Sequence, residues 1–232
     1  MSAKKNIMET KDKKILISII EEYIRSASPV GSSYLVSKKK MDCCPATLRN
    51  IMMDLERQGY LFQPHTSAGR IPTEEAYKFY VETLDKNTEL SNIVSKKLDN
   101  AITKSAIKEL DQKAKFLSKI MAEITNNAVL LAFSKDNYYI TGFSNILSQP
   151  EFSDMEKLQN LSLVLDNLEF IVEDIFDKVD QTGVFVGSQS RFNKYLSAIT
   201  GRFQNGVVTI IGPTRMDYKK NLGLVNYFKT IA

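Results

Sequence analysis

Residues 45–73 read PATLRNIMMDLERQGYLFQPHTSAGRIPT and carry the strongest local signals in the 232-residue chain. Pro45 suits the first turn of a helix, because the N–H that proline lacks has no partner there. Gly59 is a typical C-terminal stop. Between them the apolar residues recur every three or four positions, which predicts an amphipathic helix with one buried face. The predicted outer face and its flanks consist of Ala46, Thr47, Arg49, Asn50, Met53 and Arg57.

A short β-hairpin is predicted to follow this helix. Residues 60–62 are typical of one strand, and Arg70 with Ile71 is expected to form its partner. The residues between the strands are mostly polar, and they place His65, Thr66 and Ser67 at the predicted tip.

Two further helices are predicted upstream. The apolar side chains of residues 11–27 follow a four-residue spacing, and residues 28–31 interrupt it with Ser, Pro and Gly. A short helix is then expected at about residues 32–39. Three helices followed by a two-stranded tip are typical of a winged helix-turn-helix, whose third helix enters the major groove of DNA.

The polar residues of this region suit contacts with DNA. Arg and Asn side chains, here Arg49 and Asn50, can form paired hydrogen bonds with guanine and adenine edges. Arg70 and His65 in the hairpin suit phosphates or the narrow minor groove. Further candidate contacts are Ser32, Ser33, Lys38, Thr66 and Ser67. A solvated helix face and a polar turn without a partner remain alternatives, since the outer face of any helix must be polar.

Charge and composition narrow the functional classes. The net charge of +4 arises within residues 1–80, which hold 13 Lys or Arg and 9 Asp or Glu, whereas residues 81–232 hold 18 of each. A basic N-terminal third suggests a module that binds a polyanion. The single histidine, His65, excludes a His-rich metal site, and the adjacent Cys43 and Cys44 cannot form a disulfide framework. Because no apolar run is long enough for a membrane span or a secretory signal, we expect a cytoplasmic protein, with no cofactor, metal site or enzymatic activity.

Eight runs of sequence carry a family resemblance. They are PVGS at 29–32, PATLRN at 45–50, MDLE at 53–56, GYL at 59–61, QPHTSAGRIPT at 63–73, GFSNIL at 142–147, QPEF at 149–152 and GPTRMDY at 212–218. Together they resemble the HrcA family of bacterial heat-inducible transcription repressors. The resemblance implies a homodimer that binds an inverted-repeat operator in double-stranded DNA upstream of chaperone operons. It also implies that a GroE-type chaperonin keeps the repressor active until unfolded clients occupy the chaperonin during heat stress.

Two features depart from the family pattern. Family members usually have Ser before the Pro-Ala-Thr run, where this chain has Cys44, and a thiol is a poorer helix cap. They also carry a long segment, with a dimerising insertion, between the central helix and the Gly-x-Ser-Asn motif, and most of it is missing here. We therefore predict an α+β fold with a winged helix-turn-helix domain in 1–85, a helical linker in 86–128 and a small, truncated GAF-like α/β effector domain in 129–232.

The predicted linker contains an apolar stripe. Leu110, Ala114, Leu117, Met121, Ile124 and Ala128 alternate at spacings of four and three, as in a coiled-coil seam. The stripe is expected either to lie on its own domain or to pair two subunits. The residues assigned to pairing are Leu110, Leu117, Met121 and Ile124.

The C-terminal part is predicted to combine helices with buried strands. Helices are expected at 154–168, 168–179 and about 215–230, and strands at 184–186 and 207–211. Arg215 is expected to form a structural ion pair rather than to hold an anion. An alternative function is a redox- or ligand-responsive DNA-binding regulator that uses Cys44, at a helix N-terminus, or this C-terminal part.

Overall fold

The computed structural model describes residues 8–40, 43–204 and 206–231, so residues 1–7, 41 and 42 of the predicted first domain lie outside the described part. The chain divides into two units, and the division falls between Thr83 and Leu84. Both units combine helices with antiparallel strands, which confirms the predicted α+β class.

The described residues of unit 1, which ends at Thr83, form four helices and one hairpin. The elements are α1 (Thr10–Ser26), α2 (Ser32–Lys39), α3 (Pro45–Arg57), β1 (Leu61–Phe62), β2 (Ile71–Pro72) and α4 (Glu74–Glu82). The apolar stripes of α1, α2 and α3 meet in the core, where Leu16, Leu35 and Leu48 are fully buried. The helix and strand bounds agree with the sequence prediction to within one or two residues.

The hairpin is attached to the loop between α1 and α2. The backbone N–H of Val30 donates to the carbonyl of Arg70, and the N–H of Arg70 donates back to Val30, both at 2.9 Å. Gly69 lies against this bridge, and a Cβ atom there would come within 2.4 Å of the Val30 carbonyl carbon. Only glycine fits this close approach of two backbones.

Unit 2, which begins at Leu84, is built around a five-stranded antiparallel sheet. The strands are β3 (Ala128–Ala132), β4 (Tyr138–Thr141), β5 (Gly183–Phe185), β6 (Leu196–Phe203) and β7 (Gly206–Pro213), in the order β4-β3-β7-β6-β5. The predicted strands at 184–186 and 207–211 correspond to β5 and β7. Strands β3, β4 and β6 were not predicted, and the Ser, Ala, Thr and Gly residues of β6 give it a weak apolar signal.

The described residues of unit 2 also form six α-helices. They are α5 (Asn92–Ser105), α6 (Leu110–Thr125), α7 (Phe143–Leu147), α8 (Met155–Asp166), α9 (Leu168–Lys178) and α10 (Tyr218–Ile231). These helices pack on the two faces of the sheet or, in the case of α5, on α6. Side chains of α7, α8 and α9 share a buried cluster with Leu130 and Ala198 of the sheet. Helices α6 and α10 contact β3, β6 and β7, and neighbouring strand residues point to opposite faces. Arg215 pairs with Glu151, which confirms its predicted structural role.

The structure corrects the predicted linker and its pairing seam. Helices α5 and α6 belong to unit 2, and α6 packs on β3 and α10. As a result Leu117 and Met121 are each only 1% exposed, while Ile124 is half-buried. Leu110 is 46% exposed, but it lies in the first turn of the helix. The stripe is covered by its own unit, so Leu117 and Met121 are not available to a second chain.

Candidate nucleic-acid interface

The outer face of α3 is open to solvent. Its exposed residues are Ala46, Thr47, Arg49, Asn50, Met53 and Arg57, as predicted, whereas Leu48, Met52 and Leu55 are buried on the opposite side. Arg57 forms an exposed ion pair with Asp54 at 2.9 Å. Among the described residues, no hydrogen-bond or ion-pair partner is found for the side chains of Arg49 and Asn50. These two side chains are therefore available to an external ligand.

The start of α3 lacks a side-chain cap, which confirms the expectation for Cys44. Pro45 occupies the first turn, and the Cys44 side chain makes no hydrogen bond to the free backbone N–H groups. Its Sγ atom instead lies 3.2 Å from Thr47 Oγ1. This contact with Thr47 lowers the pKa of the Cys44 thiol below its ordinary value.

A groove of about 670 Å³ separates α3 from the tip of the hairpin. Residues from the start of α2, the outer face of α3 and the tip line it. The predicted site residues among them are Ser32, Ser33, Arg49, Met53, Thr66, Ser67 and Arg70. The groove lining does not include Lys38, Ala46, Thr47, Asn50, Arg57 and His65. The structure thus brings together three segments that are far apart in the sequence.

The hairpin tip has a defined internal structure. The side-chain amide of Gln63 donates to the carbonyls of Thr66 and Ala68, at 2.9 and 2.8 Å, and the N–H of Ala68 donates to His65. His65, Thr66 and Ser67 are exposed, as predicted. The role of Gln63 could not be predicted from sequence. Its amide donates to backbone carbonyls, which every residue has, so no pattern of residue types indicates these hydrogen bonds.

Two predicted contact residues are less accessible than expected. The Arg70 side chain is only 11% exposed, and its Nε lies 2.9 Å from Glu56 Oε2 in an ion pair. Ser32 is 8% exposed at the first position of α2, two residues after Val30, whose backbone pairs with the hairpin. Both line the groove, but neither presents a free polar side chain at its surface.

A cluster of polar side chains links α1 to α2 beside the groove. The carboxylate of Glu22, which is 2% exposed, accepts a hydrogen bond from the Tyr34 hydroxyl at 2.8 Å and pairs with Arg25. Lys38 donates to the Tyr34 hydroxyl at 2.8 Å and lies 3.6 Å from Glu22. The hydrogen bond from Arg25, followed by that from Tyr34, lowers the pKa of Glu22 to about 2.

This cluster affects how two of its residues, Lys38 and Tyr34, can contact a ligand. The charge of Lys38 is partly neutralised by Glu22, so it is less available to a phosphate than the sequence suggested. Tyr34 is exposed and lines the groove, although the sequence analysis did not select it. The available signal was a large aromatic residue at a helix position where the spacing predicts exposure.

The described residues show neither a metal-binding cluster nor a membrane-spanning helix. No group of three or more His, Cys, Asp or Glu side chains that could hold a metal ion occurs among them. Within the same residues, no helix is both long enough and apolar enough to cross a membrane.

Comparison with known proteins identifies the class of protein. A curated heat-inducible transcription repressor from Thermodesulfovibrio yellowstonii is 26% identical over an alignment of 335 positions, gaps included, that covers 96% of each chain. A repressor of the same name from Acetivibrio thermocellus is 35% identical over 196 residues, covering 83% of this chain and 54% of the relative. These relatives are transcription repressors rather than enzymes.

The family model of the HrcA protein C-terminal domain matches residues 75–222. The chain therefore belongs to the HrcA family. The alignment with the Thermodesulfovibrio protein extends over 335 positions although this chain has only 232 residues, so the relative has a long stretch without a counterpart here. A crystal structure of a hypothetical protein shares the fold, with a TM-score of 0.74, 18% identity and coverage of 97% of this chain and all of the other.

Proposed function

We propose that this protein is a cytoplasmic repressor of heat-shock chaperone operons, which binds an inverted-repeat operator as a homodimer through a winged helix-turn-helix in unit 1. Membership of a family of heat-inducible transcription repressors supports the regulatory role. The observation that carries DNA binding is the groove between α3 and the hairpin tip, because it combines an exposed polar helix with an exposed polar loop.

Helix α3 has the features of a recognition helix. Its outer face is exposed along its length, and Arg49 and Asn50 lie in its N-terminal half, which contacts base edges in helix-turn-helix proteins. The side chains have the donor and acceptor groups that pair with guanine and adenine in the major groove. Thr47 and Met53 extend this face toward the two ends of the helix.

The hairpin has the features of a wing. Its exposed tip residues, His65, Thr66 and Ser67, offer donors to phosphate oxygens on the strand beside the recognition helix. Ser33 and Tyr34 at the start of α2 also line the groove. Contacts of this kind fix the register of a protein on DNA, while the helix reads the sequence.

The proposed partners of the protein and the proposed role of unit 2 are inferred from membership of the HrcA family. A two-fold symmetric dimer matches an inverted repeat, because each subunit reads one half-site. Because Leu117 and Met121 are buried, pairing has to use a surface other than the predicted seam. We propose that unit 2 is a shortened GAF-like effector domain, and that a GroE-type chaperonin modulates the repressor as in its family.

A second candidate function is a redox-responsive regulator. Cys44 is exposed at the start of α3, and its thiol pKa is lowered by Thr47. A thiolate at this position is the form that reacts with peroxide. This candidate predicts that peroxide weakens operator binding and that Cys44→Ser removes the effect. Binding that is unchanged by peroxide in the wild-type protein would exclude it.

The deciding experiment is fluorescence anisotropy on two labelled duplexes near physiological salt. One duplex carries the family's inverted-repeat operator, and the other is a scrambled copy of the same composition. We expect binding to the operator to be tighter by roughly 10³-fold or more, the low end of specific recognition. Equal weak binding to both duplexes that disappears as salt rises would contradict the proposal and indicate a basic surface only.

A further inference from the structure

One carboxylate connects α3 to both sides of the hairpin tip. Glu56, in the last turn of α3, accepts a hydrogen bond from the backbone N–H of Gln63 at 3.2 Å through Oε1. Its other oxygen, Oε2, forms the 2.9 Å ion pair with Arg70 Nε. Gln63 directly follows β1 and Arg70 directly precedes β2, so Glu56 holds the two ends of the loop that forms the tip.

The same loop is fixed at three further points. The Gln63 amide closes it through the carbonyls of Thr66 and Ala68. The backbone of Arg70 is paired with Val30, and Gly69 packs against that pair without room for a side chain. The tip is therefore attached to α3 through Glu56 and to the loop between α1 and α2 through Val30.

The positive charge of Arg70 is already paired with the Glu56 carboxylate inside unit 1. The Arg70 side chain is mostly buried, and a phosphate would have to compete with Glu56 for the guanidinium. Arg70 Nε lies within ion-pair distance of Glu56 but makes no aligned hydrogen bond, so the contact is an electrostatic attraction in a mostly buried setting, where water and salt screen it little. Simultaneous contact of helix and wing with DNA requires their separation to be held closely, because ordering a loose loop on binding costs affinity.

We propose that Glu56 is a positioning residue that sets the hairpin tip relative to α3, and that Arg70 supports DNA binding through Glu56 rather than by contacting a phosphate. This inference rests on the proposed DNA-binding function. It corrects the simplest expectation from sequence, in which an arginine in a wing is a direct phosphate ligand.

Electrostatics and positioning predict opposite results for Glu56→Gln and different salt dependences for Arg70→Met. Glu56→Gln removes a negative charge near the DNA, so electrostatics alone predicts tighter binding. Arg70→Met removes a positive charge, and a lost phosphate contact would reduce the slope of log K against log salt by about 1. Gln keeps the length of the Glu side chain and Met keeps the aliphatic stem of Arg, and each substitution removes the same ion pair, so positioning predicts weaker binding for both.

The test is anisotropy on the operator duplex over a salt series, with the two single variants and the double variant. We expect each single variant to bind about ten-fold more weakly or worse, a size typical of coupled charged neighbours, with an unchanged salt slope. The double variant should bind no more weakly than the poorer single variant. Tighter binding by Glu56→Gln, a reduced slope for Arg70→Met, or additive losses would overturn the proposal. Glu75→Gln, an exposed carboxylate in α4, is the matched control and should bind like the wild type.

A second measurement separates this inference from the proposed function. Amide hydrogen exchange of Gln63 and Ala68 in both single variants should be faster than in the wild type, while exchange in α1 stays the same. Unchanged exchange at the tip would overturn the positioning role even if DNA binding is altered. If the wild-type protein does not bind the operator but exchange is faster in the variants, the proposed function is wrong, and so is the role of Glu56 in DNA binding. The structural role of Glu56 in holding the hairpin tip against α3 would still stand.

Discussion

Helices α3 and α6 have similar lengths and similar amphipathic patterns, but they differ in which of their faces are exposed to solvent. In α3 the apolar side packs inside unit 1, and the polar side, with Arg49 and Asn50, faces solvent beside a groove. In α6 the apolar stripe that resembled a subunit seam is covered by the sheet and by α10, which bury Leu117 and Met121. A repeat of apolar residues shows which side of a helix is covered. Whether the cover comes from the same chain or from a second one is decided by the tertiary fold.

The largest expected effect comes from the buried stripe of α6. Leu117→Ala should lower the free energy of unfolding of unit 2 by about 2–5 kcal/mol, because it leaves a cavity in a packed core. A urea titration followed by circular dichroism measures the loss. Leu110→Ala is the matched control in the same stripe and should change stability by less than about 0.5 kcal/mol, since Leu110 is largely exposed. If α6 pairs subunits after all, Leu117→Ala will instead produce monomers with little change in unfolding.

Unit 1 differs from the apolar core around α6 in burying a charged group. Glu22→Gln should destabilise unit 1 at neutral pH by roughly 1.5–3 kcal/mol, the range for hydrogen bonds to a charged group. The pKa of Glu22 is lowered from 4.5 to about 2, so its contribution is complete above pH 4.5 and is lost as pH falls through 2. Thermal unfolding between pH 7 and pH 2 should therefore show a smaller acid-induced loss in the variant. Glu21→Gln, which removes an exposed neighbour, should retain the wild-type pH dependence.

The exposed side of α3 should affect binding rather than stability. Arg49→Ala is expected to weaken operator binding by about 1–3 kcal/mol if Arg49 reads a base, with little change in unfolding. Anisotropy on the operator and scrambled duplexes measures both affinities. Arg57→Ala provides the comparison, because Arg57 is exposed on the same helix but already paired with Asp54. If Arg49→Ala lowers the affinity for the two duplexes equally, Arg49 contacts only phosphate and does not read a base.

The smallest expected effect is at the start of α3. Cys44→Ser should raise stability by about 0.5–1 kcal/mol, because a serine hydroxyl can accept the backbone N–H that the thiol leaves unbonded. Differential scanning calorimetry of the variant and of Cys43→Ser as control measures the gain. A stability equal to that of the wild type would mean that the N–H groups at this end are satisfied in another way.

The sequence determined much of unit 1. Helix bounds follow from local signals, such as Pro45 at the start of α3 and the spacing of Leu48, Met52 and Leu55. The hairpin follows from two apolar pairs around a polar loop, and the exposed face of α3 follows from helical geometry. These features depend on neighbours within a few residues, so they can be read without the fold. The family could also be recognised, because its motifs are contiguous runs.

The tertiary structure alone decided which polar side chains are free and which are partnered. Arg70 and Glu56 are 14 positions apart, and no local pattern predicts that the hairpin returns to bring them within 2.9 Å. Tyr34 and Lys38 are drawn into the environment of Glu22 for the same reason. Strand β6 became recognisable only through its pairing with β5 and β7, since hydrogen bonds between strands compensate for a weak apolar pattern. Burial and ion pairing are properties of distant contacts, so the sequence could name the candidates, but only the packed fold could assign Arg70 to the protein and leave Arg49 for a ligand.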